Sequence, residues 1–335
     1  MTLREAVLQA LKEKKGEWLS GEALSESLNV SRTTVWNQIK ALLAEGYEVD
    51  SSPKKGYRLC SPPDILSPVE VGPGLTCKVF GQTDYLYYQE LDSTNNRARV
   101  LAAEGYPEGT VVVADMQTAG RGRRGRSWYS PSNQGIYMSV ILRPVLPLKE
   151  ISRISLLTAV AVAETFEEEL NLPARIKWPN DILINDKKVA GILSEAVTDM
   201  DGIEYIVVGI GMNINNQLQE FPGDFRTAAT SARAEDARPV SRVKVLQGLL
   251  ARLESHYLDL LAGSFEGTLK KGKSLSVAIG QELRLDTING FLVGKAIDID
   301  ENGFLLLRDQ SGIVHTIISG EITILPLHPA EVLLT

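Results

Sequence analysis

The chain has 335 residues, 35 of them basic and 42 acidic, for a formal charge of −7, and 44% of its residues are hydrophobic. That length predicts two or three domains, and the hydrophobic share excludes wholesale disorder. The acidic balance excludes a bulk nucleic-acid coat, so any contact with DNA must come from a local basic surface. The only cysteines, Cys60 and Cys77, are too few for a disulfide framework and suit a reducing, cytosolic setting. The amphipathic start MTLREAVLQALKEKKGE carries no signal-peptide core. No apolar run approaches the ~20 residues that a membrane span needs. The expectation is a soluble cytoplasmic protein with no membrane partner.

The first sixty or so residues read as three helices and a hairpin. Val7, Leu8 and Leu11 form one apolar stripe, Leu24 and Leu28 a second, and Val35, Ile39, Leu42 and Leu43 a third, ended by Gly46. Across Ser20–Lys40 the grammar is helix-turn-helix: Asn29 can take the left-handed turn and Ser31 can cap the next helix. That helix offers Arg32, Thr33, Thr34, Asn37, Gln38 and Lys40 opposite its apolar side, residue types that bond base edges and phosphates in a major groove. The hairpin YEVDSSPKKGYRL turns at Ser51–Gly56. Its tip, Lys54 and Lys55, with Arg58 beyond, reads as the wing of a winged helix. The bland alternative is a helical packing module with an ordinary solvated face. Cap, turn, exposed amides and basic wing agree with one another, which favours DNA binding. The near-neutral module implies modest affinity and a need for dimerisation. The Pro- and Gly-rich SPPDILSPVEVGPG that follows reads as a linker in which no helix is expected.

From Val79 the pattern is mixed α/β. Strands are expected at Tyr85–Leu91, Thr110–Met116, Gly135–Leu142, Arg175–Trp178, Ile182–Ile184, Lys188–Ala196 and Ile203–Ile210, with helices after Ser93, over Ser152–Leu170 and over Ser241–Leu261. After Lys270-Lys271-Gly272 come short strands, LSVAI, ELRLDT, FLVGKAIDID, GFLLLRD and VHTIIS, which fit a small barrel. The fold class is therefore α+β and multidomain: a winged helix-turn-helix at 1–62, a linker at 63–78, a mixed α/β domain at 79–268 and a barrel at 269–335.

The most informative segment is Gln117-Thr118-Ala119-Gly120-Arg121-Gly122-Arg123-Arg124-Gly125-Arg126-Ser127-Trp128. Its Gly120-x-Gly122-x-x-Gly125 formally matches a dinucleotide fingerprint, but the residues after it do not open a helix, so no helix N-terminus meets a pyrophosphate. What remains is a set of arginines on a glycine-rich frame. Guanidinium groups bind phosphate oxygens in pairs, and without an anion their mutual repulsion predicts a disordered loop; an arginine-rich nucleic-acid patch is the runner-up. A second cluster is Lys177-Trp178-Pro179-Asn180-Asp181. Asn180 and Asp181 belong at a strand end, where a carboxylate and an amide can hold Mg²⁺ through water and phosphate; a β-turn with no chemistry is the alternative. Lys188 begins the apolar run VAGIL beside Gly191, and a lysine there needs an anionic partner. Gly209–Asn215 reads as a third turn bordering a ligand cleft.

Asp92-Ser93-Thr94-Asn95, the GRGRRGR-x-W segment, KWPND and Lys188-Val189-Ala190-Gly191-Ile192 occur in the order and spacing of biotin–protein ligases. With a winged helix in front and a barrel behind, the whole chain resembles the bifunctional bacterial biotin operon repressor/biotin–protein ligase family. The resemblance implies a central ligase domain and an SH3-like barrel. It implies that biotin and ATP, with Mg²⁺, form biotinyl-5′-adenylate, and that biotin then passes to a lysine of the biotin carboxyl carrier protein of acetyl-CoA carboxylase. It also implies a ligand-induced homodimer on the operator DNA of biotin genes.

By the same resemblance Ser93, Thr94, Asn95 and Gln117 bind biotin, with the Arg121-Gly122-Arg123 loop covering it. Lys188 reaches the biotin carboxylate and the α-phosphate as the catalytic residue. Arg123, Arg124, Arg126, Trp128, Lys177, Asn180, Asp181 and Asn213 form the nucleotide and Mg²⁺ side; for Trp128, stacking on adenine competes with a plain core position. His256, His315 and His328 read as structural or solvated. A biotin sensor without catalysis and a lipoate ligase are the rival readings.

Overall fold

In the computed structural model, residues 2–325 are described apart from 15, 62–63, 201, 224 and 288–289, so His328 lies outside the described residues. The chain divides into two compact units that part between Pro73 and Gly74. Among the described residues no helix is long and apolar enough to cross a membrane.

The first unit holds α1 (Leu3–Glu13), α2 (Gly21–Ser27), α3 (Arg32–Ala44) and the hairpin β1 (Glu48–Ser52) and β2 (Gly56–Ser61). Each helix starts on a side-chain cap: Thr2 accepts from Glu5 N, Ser20 from Ala23 N and Ser31 from Thr34 N. Asn29 and Gly46 take positive φ, 51° and 93°, as the turn reading required. Val7, Leu8, Leu11, Leu24, Val35, Ile39 and Leu42 are buried, but Leu43 is 47% exposed. One residue past Leu42, the helical step has already carried it off the stripe.

Gly56 is a position only glycine can hold. Its φ is +97° and a Cβ would lie 2.1 Å from the Leu19 carbonyl oxygen, where Leu19 and Tyr57 form a bridge that lays the wing against the helices. The segment expected to lack helix contains a short one, α4 (Pro68–Val71). Pro68 sits at the first helical position, where its missing N–H leaves no bond unmade. Glu70 of this turn pairs with Lys12 at 2.7 Å and accepts from the Tyr47 hydroxyl at 3.1 Å.

The second unit is built on a seven-stranded sheet of β3 (Tyr85–Leu91), β4 (Val111–Gln117), β5 (Gly135–Leu142), β6 (Arg175–Lys177), β7 (Asp181–Ile184), β8 (Lys187–Thr198) and β9 (Ile203–Asn213), in the order β3-β4-β5-β9-β8-β7-β6. Only β3 and β4 are parallel, and the helix α5 (Thr94–Ala103) supplies the crossover that a parallel pair needs. Ala98, Leu101 and Ala102 of α5 pack on Val112, Ile141 and Val207 of the sheet. The long helices α6 (Ile151–Leu170) and, later in the chain, α9 (Arg242–Leu261) pack on each other. Their expected apolar residues, Ile154, Leu157, Val160, Ala161 and Phe166 on α6 and Leu246, Leu249, Leu250, Leu253, Tyr257 and Leu260 on α9, are all buried. The short turns α7 (Phe225–Ala228) and α8 (Ala232–Asp236) lie between β9 and α9.

Two expectations are corrected beyond α9. LSVAI is not a strand: α10 (Glu266–Leu275) runs through Lys270-Lys271-Gly272, and Gly272 stays helical because a Cβ there would meet the Leu156 side chain of α6 at 2.9 Å. Close helix packing overrides the weak helix propensity of glycine. The antiparallel C-terminal sheet has β10 (Glu282–Thr287), β11 (Gly290–Ile299), β12 (Leu305–Asp309), β13 (Val314–Ile317) and a strand that was not foreseen, β14 (Glu321–Ile324). Its order is β13-β12-β11-β10-β14, which leaves β13 and β14 as its edges among the described residues.

One buried charge pair pins α9 to the sheet. Arg242, fully buried, donates from Nη1 to Asp115 Oδ1 at 3.0 Å and to the Gly135 carbonyl at 3.1 Å; Asp115 Oδ2 also accepts from Asn133 N at 3.0 Å. Removing one partner of such a pair strands a desolvated charge. Arg242→Ala should therefore lower the stability of this unit by about 3–5 kcal/mol, read as an earlier midpoint in urea denaturation followed by circular dichroism.

Candidate functional site

The site begins with a strip of sheet that carries three glycines on one face. Gly191 of β8 pairs with Gly211 of β9, and Leu193 pairs with Gly209; partners and alternate residues share a face, so all three glycines look into one cleft. The expected turn at Gly209–Asn215 is thus corrected: β9 continues to Asn213, and the glycines border a cleft as strand residues. A Cβ at Gly209 would sit 1.9 Å from Asn95 Oδ1, and one at Gly211 would sit 2.5 Å from Trp128 Nε1.

Onto this floor the start of α5 and the arginine loop fold a cleft of about 450 Å³, lined by Ser93, Thr94, Asn95, Gln117, Arg121, Gly122, Arg123, Trp128, Asn180 and Lys188 together with the glycines. Neutral groups line one end. Gln117 Oε1 accepts from Thr94 N at 2.8 Å, and Gln117 Nε2 donates to Ser130 Oγ at 2.9 Å. Ser139 Oγ lies 2.7 Å from Asn95 Oδ1 and 2.8 Å from Thr94 Oγ1.

The arginine loop is a tight hairpin, not a helix start. Gly122 N donates to the Arg126 carbonyl at 2.7 Å and Trp128 N to the Gly120 carbonyl at 2.8 Å, with Arg124 at φ 55° and Gly125 at φ 73° in the turn. Carboxylates of the protein, not foreseen in the sequence, stand beside its arginines and supply counter-charge. Arg121 Nη2 reaches both oxygens of Glu195 at 2.5 Å. Arg126 pairs with Glu321 at 2.7 Å, and Arg124 lies 3.7 Å from the same carboxylate. The hydrogen bond from Arg126 holds the Glu321 carboxyl below its usual range. Arg123 bonds only neutral oxygens, Asn180 Oδ1 at 2.9 Å and the Gly320 carbonyl at 3.4 Å, and burial pushes its guanidinium below its ordinary value, against the opposing pull of Asp181.

A second, larger cleft of about 1450 Å³ adjoins the first and shares Gly122, Arg123, Trp128, Asn180 and Lys188 with it. Arg124, Arg126, Lys177, Asp181 and Asn213 line this side, with Phe221, Phe225 and Ile322. Lys188 stands at the junction. Its Nζ has the anionic partner that its burial called for, Asp181 Oδ1 at 2.6 Å, and lies 5.3 Å from the centre of the Trp128 ring. Trp128 is a half-buried wall of both clefts, not a core residue, and its Nε1 is buried with no partner. Asn213 is buried, its Nδ2 donating to the Thr230 carbonyl at 3.0 Å. Among the described residues no group of three or more His, Cys, Asp or Glu is placed to hold a metal.

Four participants escaped the sequence reading. Glu195 sits two alternations beyond Gly191 on β8, so strand periodicity alone could have put it on the cleft side. Glu321, whose partner Arg126 is 195 positions away in sequence, gave no local signal. Ser130 and Ser139 gave none either.

The first unit presents the other expected surface. Arg32, Thr33, Asn37, Lys40, Lys54 and Lys55 are exposed, and Thr34 and Gln38 half-buried. Arg32 pairs with Glu22 at 2.6 Å and Thr34 Oγ1 lies 2.8 Å from Ser31 Oγ. Trp36, 46% exposed on the same helix with Lys40 Nζ 3.6 Å from its ring centre, was not foreseen.

Known proteins match both halves of this picture. The Biotin/lipoate A/B protein ligase family matches residues 87–213, the HTH domain matches residues 3–58, and the Biotin protein ligase C terminal domain matches residues 278–325. The bifunctional ligase/repressor BirA of Bacillus subtilis (strain 168) is 42% identical over 312 residues, 93% of this chain and 96% of its own. The chain belongs to the bifunctional biotin protein ligase family. The bifunctional ligase/repressor BirA of Escherichia coli (strain K12) is 30% identical over 92% of this chain and 94% of its own. A solved structure, biotin protein ligase from Aquifex aeolicus in complex with biotin and ATP, superposes with a TM-score of 0.62 at 32% identity, covering 72% of this chain and 97% of that one. The activity is that of a biotin–protein ligase, and the helix-turn-helix domain fits the repressor role.

The glycine floor yields a direct test. In Gly209→Ala the new methyl must displace Asn95, and overpacking of this kind costs about 1–3 kcal/mol. On the reading proposed below, losing Asn95 as a hydrogen-bond partner, worth about 0.5–1.5 kcal/mol net, should lower biotin affinity measured by calorimetry roughly two- to 13-fold, while the far-UV circular dichroism stays that of the parent.

Proposed function

We propose that the two clefts are the biotin and ATP halves of one ligase site and that Lys188 at their junction is its catalytic residue. The observation that carries this reading is the position of Lys188: its ammonium is shared by both clefts and held there by Asp181 at 2.6 Å. Biotin enters the neutral end, where Ser93, Thr94, Asn95 and Gln117 offer donors and acceptors to an uncharged ureido ring. Its carboxylate and the α-phosphate of ATP then meet beside Lys188. A carboxylate oxygen attacks phosphorus, the bond to the β-phosphate breaks, and biotinyl-5′-adenylate and pyrophosphate form. Lys188 offsets the charge that two anions bring together.

The loop arginines and Trp128 close over the reacting groups. Arg123, desolvated and without a carboxylate bond of its own, is the one most in need of a ligand anion. Lys177, Asn180, Asp181 and Asn213 frame the nucleotide side. Mg²⁺ fits this donor set as part of MgATP: one carboxylate, Asp181, is what such a site needs when phosphate and water supply the remaining ligands, and the ion's contribution is to neutralise phosphate charge.

In the second step an amine of the carrier attacks the acyl carbon and AMP leaves. The acceptor is a lysine of the biotin carboxyl carrier protein of acetyl-CoA carboxylase. No histidine is needed as base, since AMP is a good leaving group. His256 is bound to Glu164 at 2.7 Å and to Thr268 at 2.9 Å, and His315 to Asp309 at 2.6 Å.

The repressor half of the reading places biotinyl-adenylate-bound homodimers on the operator DNA of biotin genes in the cytoplasm, with the α3 residues reading bases and Lys54 and Lys55 on phosphates. The C-terminal sheet is read as an SH3-like barrel, and the division as 1–62, 63–78, 79–268 and 269–335.

Incubation with biotin, MgATP and a carrier domain tests the ligase: the carrier should gain one biotinyl group by mass spectrometry. A protein that binds biotin but leaves the carrier unmodified would instead be a non-catalytic sensor. Lys188→Ala should slow adenylate formation about 100- to 1000-fold, the usual loss of one charge-stabilising donor, with operator binding kept at saturating adenylate. For the DNA surface, Lys54→Ala and Lys55→Ala should each lower the slope of log affinity against log salt by about one. Sedimentation with and without biotin plus MgATP should show ligand-dependent dimers; an unchanged monomer defeats the dimer model.

A further inference from the structure

We propose that Glu195 is a positioning residue: it sets the closed pose of the arginine loop over the biotin end of the cleft, acting through Arg121. The proposal rests on the ligase reading above. Strand alternation on β8 turns Gly191, Leu193 and Glu195 to the same face, so the glycine floor under the loop runs past Leu193 to a carboxylate at its edge. Both carboxylate oxygens lie 2.5 Å from Arg121 Nη2, and Oε2 also accepts from Asn95 Nδ2 at 2.9 Å. Asn95 is itself buried and fixed, with its Nδ2 3.1 Å from the Leu193 carbonyl and its Oδ1 2.7 Å from Ser139 Oγ. Glu195 therefore ties the first arginine of the loop to a polar network that already includes Thr94 and Gln117, the groups assigned to biotin.

The loop is stiff enough to transmit this anchor. Its two arms are joined by the Arg121–Ser127 bridge and by the bonds from Gly122 N to Arg126 and from Trp128 N to Gly120, so fixing Arg121 fixes the base of the hairpin. Arg121 Nε is buried and has no protein partner. A buried donor left open beside a tightly held guanidinium is what a site has when its acceptor arrives with the substrate. A salt bridge serving stability alone has no reason to leave that donor open or to share its carboxylate with Asn95.

A double-mutant cycle in adenylate formation separates positioning from packing. Glu195→Gln keeps the shape and one acceptor but loses the charge. It should raise the KM for biotin about tenfold and shorten the lifetime of bound biotinyl-adenylate by a similar factor, with kcat at saturating biotin changed less than about twofold. Glu195→Asp, which keeps the charge, should recover part of both losses, and it replaces Glu195→Gln in the cycle should the latter fold poorly. In an Arg121→Ala background the effect of Glu195→Gln should vanish, because the two residues act as a unit. Equal losses in both backgrounds, or a Glu195→Gln enzyme with parental KM and lifetime, would overturn the role of Glu195 while leaving the ligase reading intact. A parent protein that forms no biotinyl-adenylate from biotin and MgATP would overturn the ligase reading itself.

Discussion

Where β8 and β9 pair beneath the arginine loop, the sheet has to be bare, and everything else at the site follows from that. Asn95 can dip onto the strands only because Gly209 has no side chain, and the Trp128 ring can lie across them only because Gly191 and Gly211 have none. Glycine inside strands weakens a sheet locally. Here the weakness is offset by position: β8 and β9 are interior strands paired on both sides, in the order β5-β9-β8-β7. The same pair therefore gives a floor that does not yield and a surface that a flat ligand can approach. Placing the loop over a floor rather than over a gap also explains how a hairpin of mostly charged residues can hold a defined shape.

Charge is the second constraint. Like charges on one hairpin repel, and Arg124 acts on Arg123 in this way, so counter-ions favour the shape that Arg121, Arg123, Arg124 and Arg126 share. The protein assigns them unevenly. Glu195 serves Arg121, and Glu321, reaching in from the C-terminal sheet, serves Arg124 and Arg126. Arg123, between these two anchors, is left with neutral oxygens in a desolvated place. The arrangement is a clamp held at base and tip with an unneutralised centre. On the proposed ligase reading, a substrate phosphate gains most at Arg123, which feels Asp181 but makes no hydrogen bond to a carboxylate.

Much of this was legible in the sequence, and the parts that were not share a cause. Caps, turns and stripes are local, so Ser31, Asn29 and the α6 and α9 faces could be read from neighbours in the chain. The cleft-lining motifs were legible too, because GRGRRGR and KWPND keep their chemistry in short runs. The reading failed where distant segments meet. Glu321 answers Arg126 from the edge strand of the C-terminal sheet, Arg242 answers Asp115 across the core, and Gly272 stays helical because α6 lies against it. Leu43 failed for a smaller reason: an apolar residue adjacent in sequence to a stripe need not be on it. The two carboxylates beside the loop, Glu195 and Glu321, were not visible to a reading that counted only the repulsion among its arginines.

The first unit bears on how a ligase can also repress. Its helices are capped at their starts, its wing is closed through Gly56 onto Leu19, and Glu70 straps the end of the unit to Lys12 and Tyr47. Among its described residues, Val7, Leu8, Leu11, Leu24, Val35, Ile39 and Leu42 close its core. Several of its cations are already partnered internally, Arg32 with Glu22 and Arg58 with Asp50, which limits the phosphate attraction available to one copy. In the proposed dimer, two modest half-site contacts on one duplex act together. Under the adenylate-bound dimer proposed above, regulation acts by assembling copies, and a mutation in the assembling surface should uncouple repression from an intact ligase.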